Sequence, residues 1–351
     1  MHTIRVKAEH EYDVAIGCHW KDEVLQAISS HTRVALVYSN VMREQVKELR
    51  SSDCEIHFFE VSDGESAKTA QTLNSLWNWL GAAGFTRSDL IIGIGGGTIT
   101  DLSGFAAATW LRGINWIAVP TTVAGMVDAA IGGKTGINSD YGKNLIGAFH
   151  SPQKVLIDFS WLATLSDRDF AAGLAEVIKC GFIADEDILN SIDGKNVKEV
   201  RSDEALVMDL VTRSVAVKAH VVASDFKESF NREILNYGHT LGHAIEIHSK
   251  YKLRHGEAVS IGLVFAAELA QIKGHLTPEI VELHRRILAG VGLPITYSRQ
   301  AWQNLYPLLA LDKKSRGNQL RFVAISNIGK TLRIEDSNES QLAAAYERIS
   351  S

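Results

Sequence analysis

From the N-terminus to about residue 166 the chain alternates short apolar runs with helical periodicities. Val34 to Tyr38 is a compact apolar run and predicts a buried strand, followed by a helix over Val41 to Leu49. Ile56 to Val61 predicts the next strand. Apolar residues at three- and four-residue steps then predict a helix over Ser66 to Leu80. Leu90-Ile91-Ile92-Gly93-Ile94 reads as a strand running into a glycine turn, with a helix from about Ile99, and Ile114 to Val119 reads as another strand. Strands alternating with helices imply a parallel, doubly wound sheet. From Asp167 the period lengthens. Helices are predicted over Phe170 to Phe182, Asp203 to Ser224, Ile234 to His248, His255 to Ile272 and Pro278 to Gly290, and strand signals return only at Leu320 to Ser326 and Thr331 to Glu335. The expectation is an α/β domain over residues 1–166 and a mostly helical domain over 167–351, with the active site in the cleft between them.

Composition narrows the class without naming it. A chain of 351 residues exceeds what one core usually supports, which agrees with two domains. Apolar content of 46% and charged content of 22% exclude a disordered chain, and a net charge of -5 gives no reason to expect a nucleic-acid partner. Cys18, Cys54 and Cys180 are scattered and odd in number, so they form neither a metal pattern nor a disulfide framework, as expected of a reducing compartment. The N-terminal residues lack the apolar run of a signal peptide, and the longest uncharged stretch, around Trp116 to Thr122, is broken by Pro120 and flanking glycines. A soluble cytoplasmic protein with no membrane partner is expected.

Three groups of residues carry candidate chemistry. The first is the turn Gly93-Ile94-Gly95-Gly96-Gly97-Thr98, which follows a strand and opens a helix. Glycines let backbone amides approach a pyrophosphate, and the helix N-terminus favours its charge. This suits a Rossmann-like nucleotide-binding domain, although Thr98 stands where the third fingerprint glycine would be. The second group is a set of metal-ligand types. His239 and His243 are four apart and share a helix face, His255 lies just before another helix, and Glu176 stands on a third helix. Two imidazoles and one carboxylate leave an open position on zinc, as catalysis requires. Spacing alone does not say whether His239 or His243 is the ligand. His248, in polar and charged surroundings, reads as a bystander. The third group is cationic: Lys134 in Gly132-Gly133-Lys134-Thr135, Lys143 in Gly142-Lys143-Asn144, and Arg232, Lys313 and Lys314. Such side chains pair with phosphates and carboxylates. No G-x-x-x-x-G-K-[ST] motif occurs, which excludes a P-loop triphosphatase.

At these residues the chain resembles the 3-dehydroquinate synthases, a family of sugar phosphate cyclases. The resemblance runs from Asp63-Gly64-Glu65-Ser66-Ala67-Lys68 to Asp312-Lys313-Lys314. It is most specific at Gly95 to Leu102, Pro120-Thr121-Thr122, Val127-Asp128, Gly132 to Thr135, Gly142 to Gly147, Ala175 to Lys179 and Leu235 to Thr240. It implies a phosphate-eliminating lyase of the shikimate pathway that uses NAD and zinc or cobalt. Glu176, His239 and His255 would hold the metal, with His243 beside it. NAD would lie on Gly96, Gly97 and Thr98, near Asn40, Glu65, Lys68, Asp101, Thr121, Thr122, Asp128 and Lys143. Asp128, Lys134, Lys143, Asn144, Lys179, Arg232, Asn236, His243 and Lys313 match substrate-pocket positions, and six of these, Lys134, Lys179, Arg232, Asn236, His243 and Lys313, match catalytic ones. Arg112 matches an arginine that reaches the substrate of the partner protomer, so a homodimer is implied. The chain departs from the family pattern at Ala129-Ala130, at Phe226 and Phe230, and at Ser39-Asn40, where an acidic ribose partner would be usual.

The implied substrate is 3-deoxy-D-arabino-heptulosonate 7-phosphate. Transient oxidation of a hydroxyl by NAD would acidify the neighbouring C–H and permit loss of phosphate. Reduction, ring opening and an intramolecular aldol would follow. The rivals are a metal-dependent polyol dehydrogenase and another cyclase making an inosose or a valiolone.

Overall fold

The structure is a computed structural model that describes residues 1–228, 231–315 (310–315 by backbone alone) and 320–351. Two compact units are formed. One comprises Met1–Thr164 together with Lys218–Lys227, and the other comprises Leu165–Val217 and Glu228–Ser351.

The first unit holds β1 (His2–Lys7), β2 (Glu11–Ile16), α1 (Trp20–Ile28), β3 (Arg33–Ser39), α2 (Arg43–Lys47), β4 (Glu55–Val61), α3 (Ala70–Ala82), β5 (Leu90–Gly95), α4 (Gly97–Thr109), β6 (Asn115–Pro120), β7 (Lys134–Ser139), β8 (Gly142–Phe149) and β9 (Lys154–Ile157). Seven of these strands form one sheet in the order β1-β2-β9-β6-β5-β3-β4. Only the β1–β2 pair is antiparallel; the remaining neighbours are parallel. Every residue of β5 is buried, as a central parallel strand covered on both faces must be. The chain passes from β3 to β4 on one side of β3, then returns to β5 on the other. The turn after β5 therefore sits at a topological switch point, where open α/β sheets bind ligands. The expected doubly wound α/β fold is present, with differences in detail. The predicted Val41–Leu49 helix is reduced to a 3-10 turn at Asn40–Met42 and the short α2. Helix α3 starts at Ala70, because the Thr69 side chain accepts from the Thr72 amide and caps it there, a contact worth about 1 kcal/mol. The separate β7–β8 hairpin is absent from the apolar pattern, since β8 is largely exposed and rich in glycine and polar residues.

The second unit holds α5 (Asp167–Ile183), α6 (Glu186–Ile192), α7 (Val197–Ser202), most of α8 (Glu204–Ser224), α9 (His239–His248), α10 (His255–Ile272), α11 (Pro278–Gly290), α12 (Trp302–Ser315), β10 (Phe322–Asn327), β11 (Lys330–Ile334) and α13 (Glu339–Arg348). Ser166 caps α5 by accepting from the Asp169 amide, and the helix is buried from Phe170 to Ile183. Helix α10 is buried without a break from Gly256 to Ala270 and packs against α5, α9, α11 and α13, so it is the core of the unit. The predicted Ile234–His248 helix is interrupted. Asn231–Asn236 forms its own 3-10 turn, Gly238 takes a left-handed φ of 80°, and α9 begins at His239. Only glycine adopts that φ without strain, so Gly238 sets where α9 starts and places His239 in its first turn. Among the described residues no helix is long and apolar enough to cross a membrane.

Candidate functional site

In the second unit, Glu176 on α5, His239 at the start of α9 and His255 at the start of α10 each direct a ligand atom into a space where all three lie within 4.8 Å of one another. Glu176 Oε1 is 3.6 Å from His239 Nε2 and 3.4 Å from His255 Nε2. That oxygen is buried and makes no hydrogen bond, while Oε2 accepts from Lys179 one turn along α5. An orphaned carboxylate oxygen facing two imidazole nitrogens is a costly arrangement unless a cation shares the space. The donor set of one carboxylate and two imidazoles suits zinc or cobalt.

The surroundings fix the state of each donor. Burial alone would raise the Glu176 carboxyl, but Lys179, followed by His239 and His255, outweighs burial and holds it well below the usual carboxylate range. Burial first, then the Lys179 ammonium, push the His239 imidazole down to about 3, so it stays neutral and able to ligate. Burial also lowers His255, but the Glu176 and Glu246 carboxylates that face it outweigh burial and raise that imidazole. The Nδ1 atoms are each engaged away from the shared space. His239 Nδ1 is 3.1 Å from the Tyr237 carbonyl oxygen, and His255 Nδ1 is 3.2 Å from Glu246 Oε2.

His243 stands on the exposed side of α9, with its ring 5.4 Å from that of His239 and 6.1 Å from that of His255. His239 faces Glu176, and His243 stands beside it, with a ligand atom within 4.8 Å of those of Glu246 and His255. His248 is elsewhere, with Nδ1 2.9 Å from the Tyr297 hydroxyl. Lys179 and Arg232 are both buried, and Asn236 donates to Glu228 at 2.8 Å. Lys313 lies outside the residues whose side chains are described, as does Phe230.

In the first unit the glycine turn opens α4 with Gly96 at its cap and no side-chain cap bond, which leaves the first amides of the helix available to an anion. Thr98 donates to Glu65 at 3.1 Å, and Asn138 donates to the other Glu65 oxygen at 2.7 Å. Lys68 is buried and donates to both Asp101 and Asn144, so five of the candidate residues, Glu65, Lys68, Thr98, Asp101 and Asn144, form one connected network with Asn138. Burial raises the Asp101 carboxyl, and Lys68 offsets this only in part. The Thr121 amide donates to the Gly95 carbonyl at 2.9 Å and so braces the turn, and the Thr122 hydroxyl accepts from the Gly125 amide at 3.1 Å. Asn40 is exposed, and the neighbouring Ser39 donates to Asp63 at 2.9 Å. Lys134 is exposed and Lys143 half-buried, both on the β7–β8 hairpin. Arg112 is exposed with a left-handed φ of 67°.

Lys68→Met is expected to destabilise the first unit by about 3 kcal/mol, because it leaves the half-buried Asp101 carboxylate without its cation. Urea unfolding followed in that unit measures this. The deficit should shrink as pH falls and Asp101 protonates.

Two residues that sequence reasoning did not single out belong to these networks. Lys218 on α8 donates to both the backbone oxygen and the carboxylate of Asp128. It is one more lysine in a long helical periodicity, and no spacing rule ties it to Asp128. Glu246 lies seven residues after His239 on the same helix face, a signal that could have been read.

Comparison with known proteins bears on this geometry. Residues 58–172 match the family described as 3-dehydroquinate synthase N-terminal, and residues 173–315 match 3-dehydroquinate synthase C-terminal. The chain is 47% identical over 344 residues to a 3-dehydroquinate synthase of Thermobifida fusca, covering 97% of this chain and 94% of that one. Among solved structures it resembles 2-epi-5-epi-valiolone synthase from Streptomyces hygroscopicus, which has NAD+ and Zn2+ bound, with a TM-score of 0.89, 26% identity and coverage of 99% and 98% of the two chains. It also shares its fold with a 2-deoxy-scyllo-inosose synthase complexed with carbaglucose-6-phosphate, NAD+ and Co2+, with a TM-score of 0.86, 23% identity and coverage of 99% of both chains.

Proposed function

The chain belongs to the 3-dehydroquinate synthase family, and we propose that it converts 3-deoxy-D-arabino-heptulosonate 7-phosphate to 3-dehydroquinate and phosphate with NAD and a divalent cation. The observation that carries the site assignment is the buried, unbonded Glu176 Oε1 facing His239 and His255. A divalent cation held by these three side chains would supply Lewis acidity at the substrate hydroxyl, and NAD held at Gly96, Gly97 and Thr98 would supply a reversible oxidation there.

The protein's own residues then have separable tasks. The open amides of α4 take the dinucleotide's pyrophosphate, with Glu65, Lys68, Asp101, Thr121, Thr122 and Lys143 around it. Lys179, Arg232 and Lys313 hold the substrate carboxylate and orient the sugar acid. Lys134, Asn144 and Arg112 position the phosphate, whose own oxygen can take the proton from the adjacent carbon. His243 and Asn236 pass the hydroxyl proton through hydrogen bonds, and Asp128 accepts from a substrate hydroxyl. The reading further has the enzyme as a cytoplasmic homodimer in which Arg112 of one protomer serves the substrate of its partner.

The test is phosphate release from the heptulosonate phosphate with NAD at trace level, with the product identified by NMR. One phosphate per carbocycle, 3-dehydroquinate as product, no NADH accumulation and arrest by a chelator are expected. Steady NADH accumulation would mean a dehydrogenase, and an inosose or valiolone product another cyclase.

A further inference from the structure

We infer that Glu246 is a positioning residue that holds the His255 ring so that its Nε2 is aimed at the cation. The inference rests on the reading that Glu176, His239 and His255 hold that cation.

Glu246 is buried to 2% exposure in the last third of α9, where an unpartnered carboxylate would be unfavourable. Its Oε2 lies 3.2 Å from His255 Nδ1, while the opposite ring nitrogen, Nε2, lies 3.4 Å from Glu176 Oε1. With the proton held at Nδ1 by the carboxylate, the Nε2 lone pair is left facing the other donors. His255 needs such help more than His239 does. It follows a loop and is half-buried, whereas His239 is buried and oriented by the Tyr237 carbonyl two residues before it. Glu246 therefore ties the ligand on α10 to α9, the helix that carries the other imidazole. A rival role exists: His243, Glu246 and His255 also bring ligand atoms within 4.8 Å, so Glu246 could itself be a ligand.

The test titrates zinc, against a chromophoric chelator, into the wild-type chain, Glu246→Gln and Glu176→Gln, and records the visible spectrum of each cobalt form. Glu246→Gln should keep one zinc per chain, bind it about 10- to 100-fold more weakly, and shift the cobalt band without losing it. Glu246→Asp should recover part of the affinity. Wild-type affinity and an unchanged cobalt spectrum in Glu246→Gln would overturn the inference while leaving the metal site intact. So would complete loss of zinc in that variant, which would make Glu246 a ligand. Wild-type affinity in Glu176→Gln would instead overturn the underlying metal reading. Should Glu246→Gln not fold, the aspartate variant decides: weaker zinc with a shifted cobalt band supports the inference, and wild-type values overturn it.

Discussion

Replacing His239 with alanine is expected to strip the divalent cation from the second unit and lower turnover about a thousandfold or more, while NAD affinity stays within about twofold of the original. His239 is buried, held neutral, and already oriented by the Tyr237 carbonyl, so it contributes a ready nitrogen donor. Removing it leaves Glu176 with Lys179 on one oxygen and a single imidazole facing the other. The candidate NAD residues belong to the first unit and share no hydrogen bond with His239 among those described. Metal analysis of the purified variant, NAD titration by fluorescence and a phosphate-release assay read the three quantities independently. Full activity without bound metal would remove the assignment.

Gly256→Ala should be nearly as damaging although it touches no ligand. A Cβ built at Gly256 would sit 1.7 Å from the Ala172 carbonyl oxygen and 2.6 Å from its carbonyl carbon. Both atoms are backbone of α5, so no side-chain rotation can relieve the overlap. Ala172 lies one helical turn before Glu176, and Gly256 directly follows His255. The close approach of α5 and α10 at this glycine is thus what brings the carboxylate within reach of the imidazole. Pushing the helices apart should destabilise the second unit by about 3 kcal/mol or more and weaken metal binding at the same time. Chemical denaturation and zinc titration test the two effects. A stable variant with native zinc affinity would show that the helices can separate without cost to the site.

Much of this arrangement could be read from the chain, for reasons that differ by element. Strands β5 and β6 announce themselves because both faces of a central parallel strand are covered, which demands continuous apolar runs. The β7–β8 hairpin carries Lys134, Lys143 and Asn144, yet its open face imposes no apolar alternation, so its lysines stood out only as cations among glycines and its strands did not. In the metal cluster, helical spacing pairs His239 with His243 but is blind to which one meets Glu176. The break at Gly238 and the entry of α10 decide that, and both depend on tertiary packing. Lys218 went unread because its link to Asp128 joins residues ninety positions apart.

That last link has a genetic consequence. The α/β unit is completed by Lys218–Lys227, which the chain reaches only after it has begun the helical unit. A gene fragment ending at Thr164 would encode an aspartate without its lysine. Shuffled genes joined at that border would combine Asp128 from one parent with Lys218 from the other. The two halves therefore cannot be exchanged as independent cassettes, and crossovers that respect the pair must carry both positions from the same ancestor.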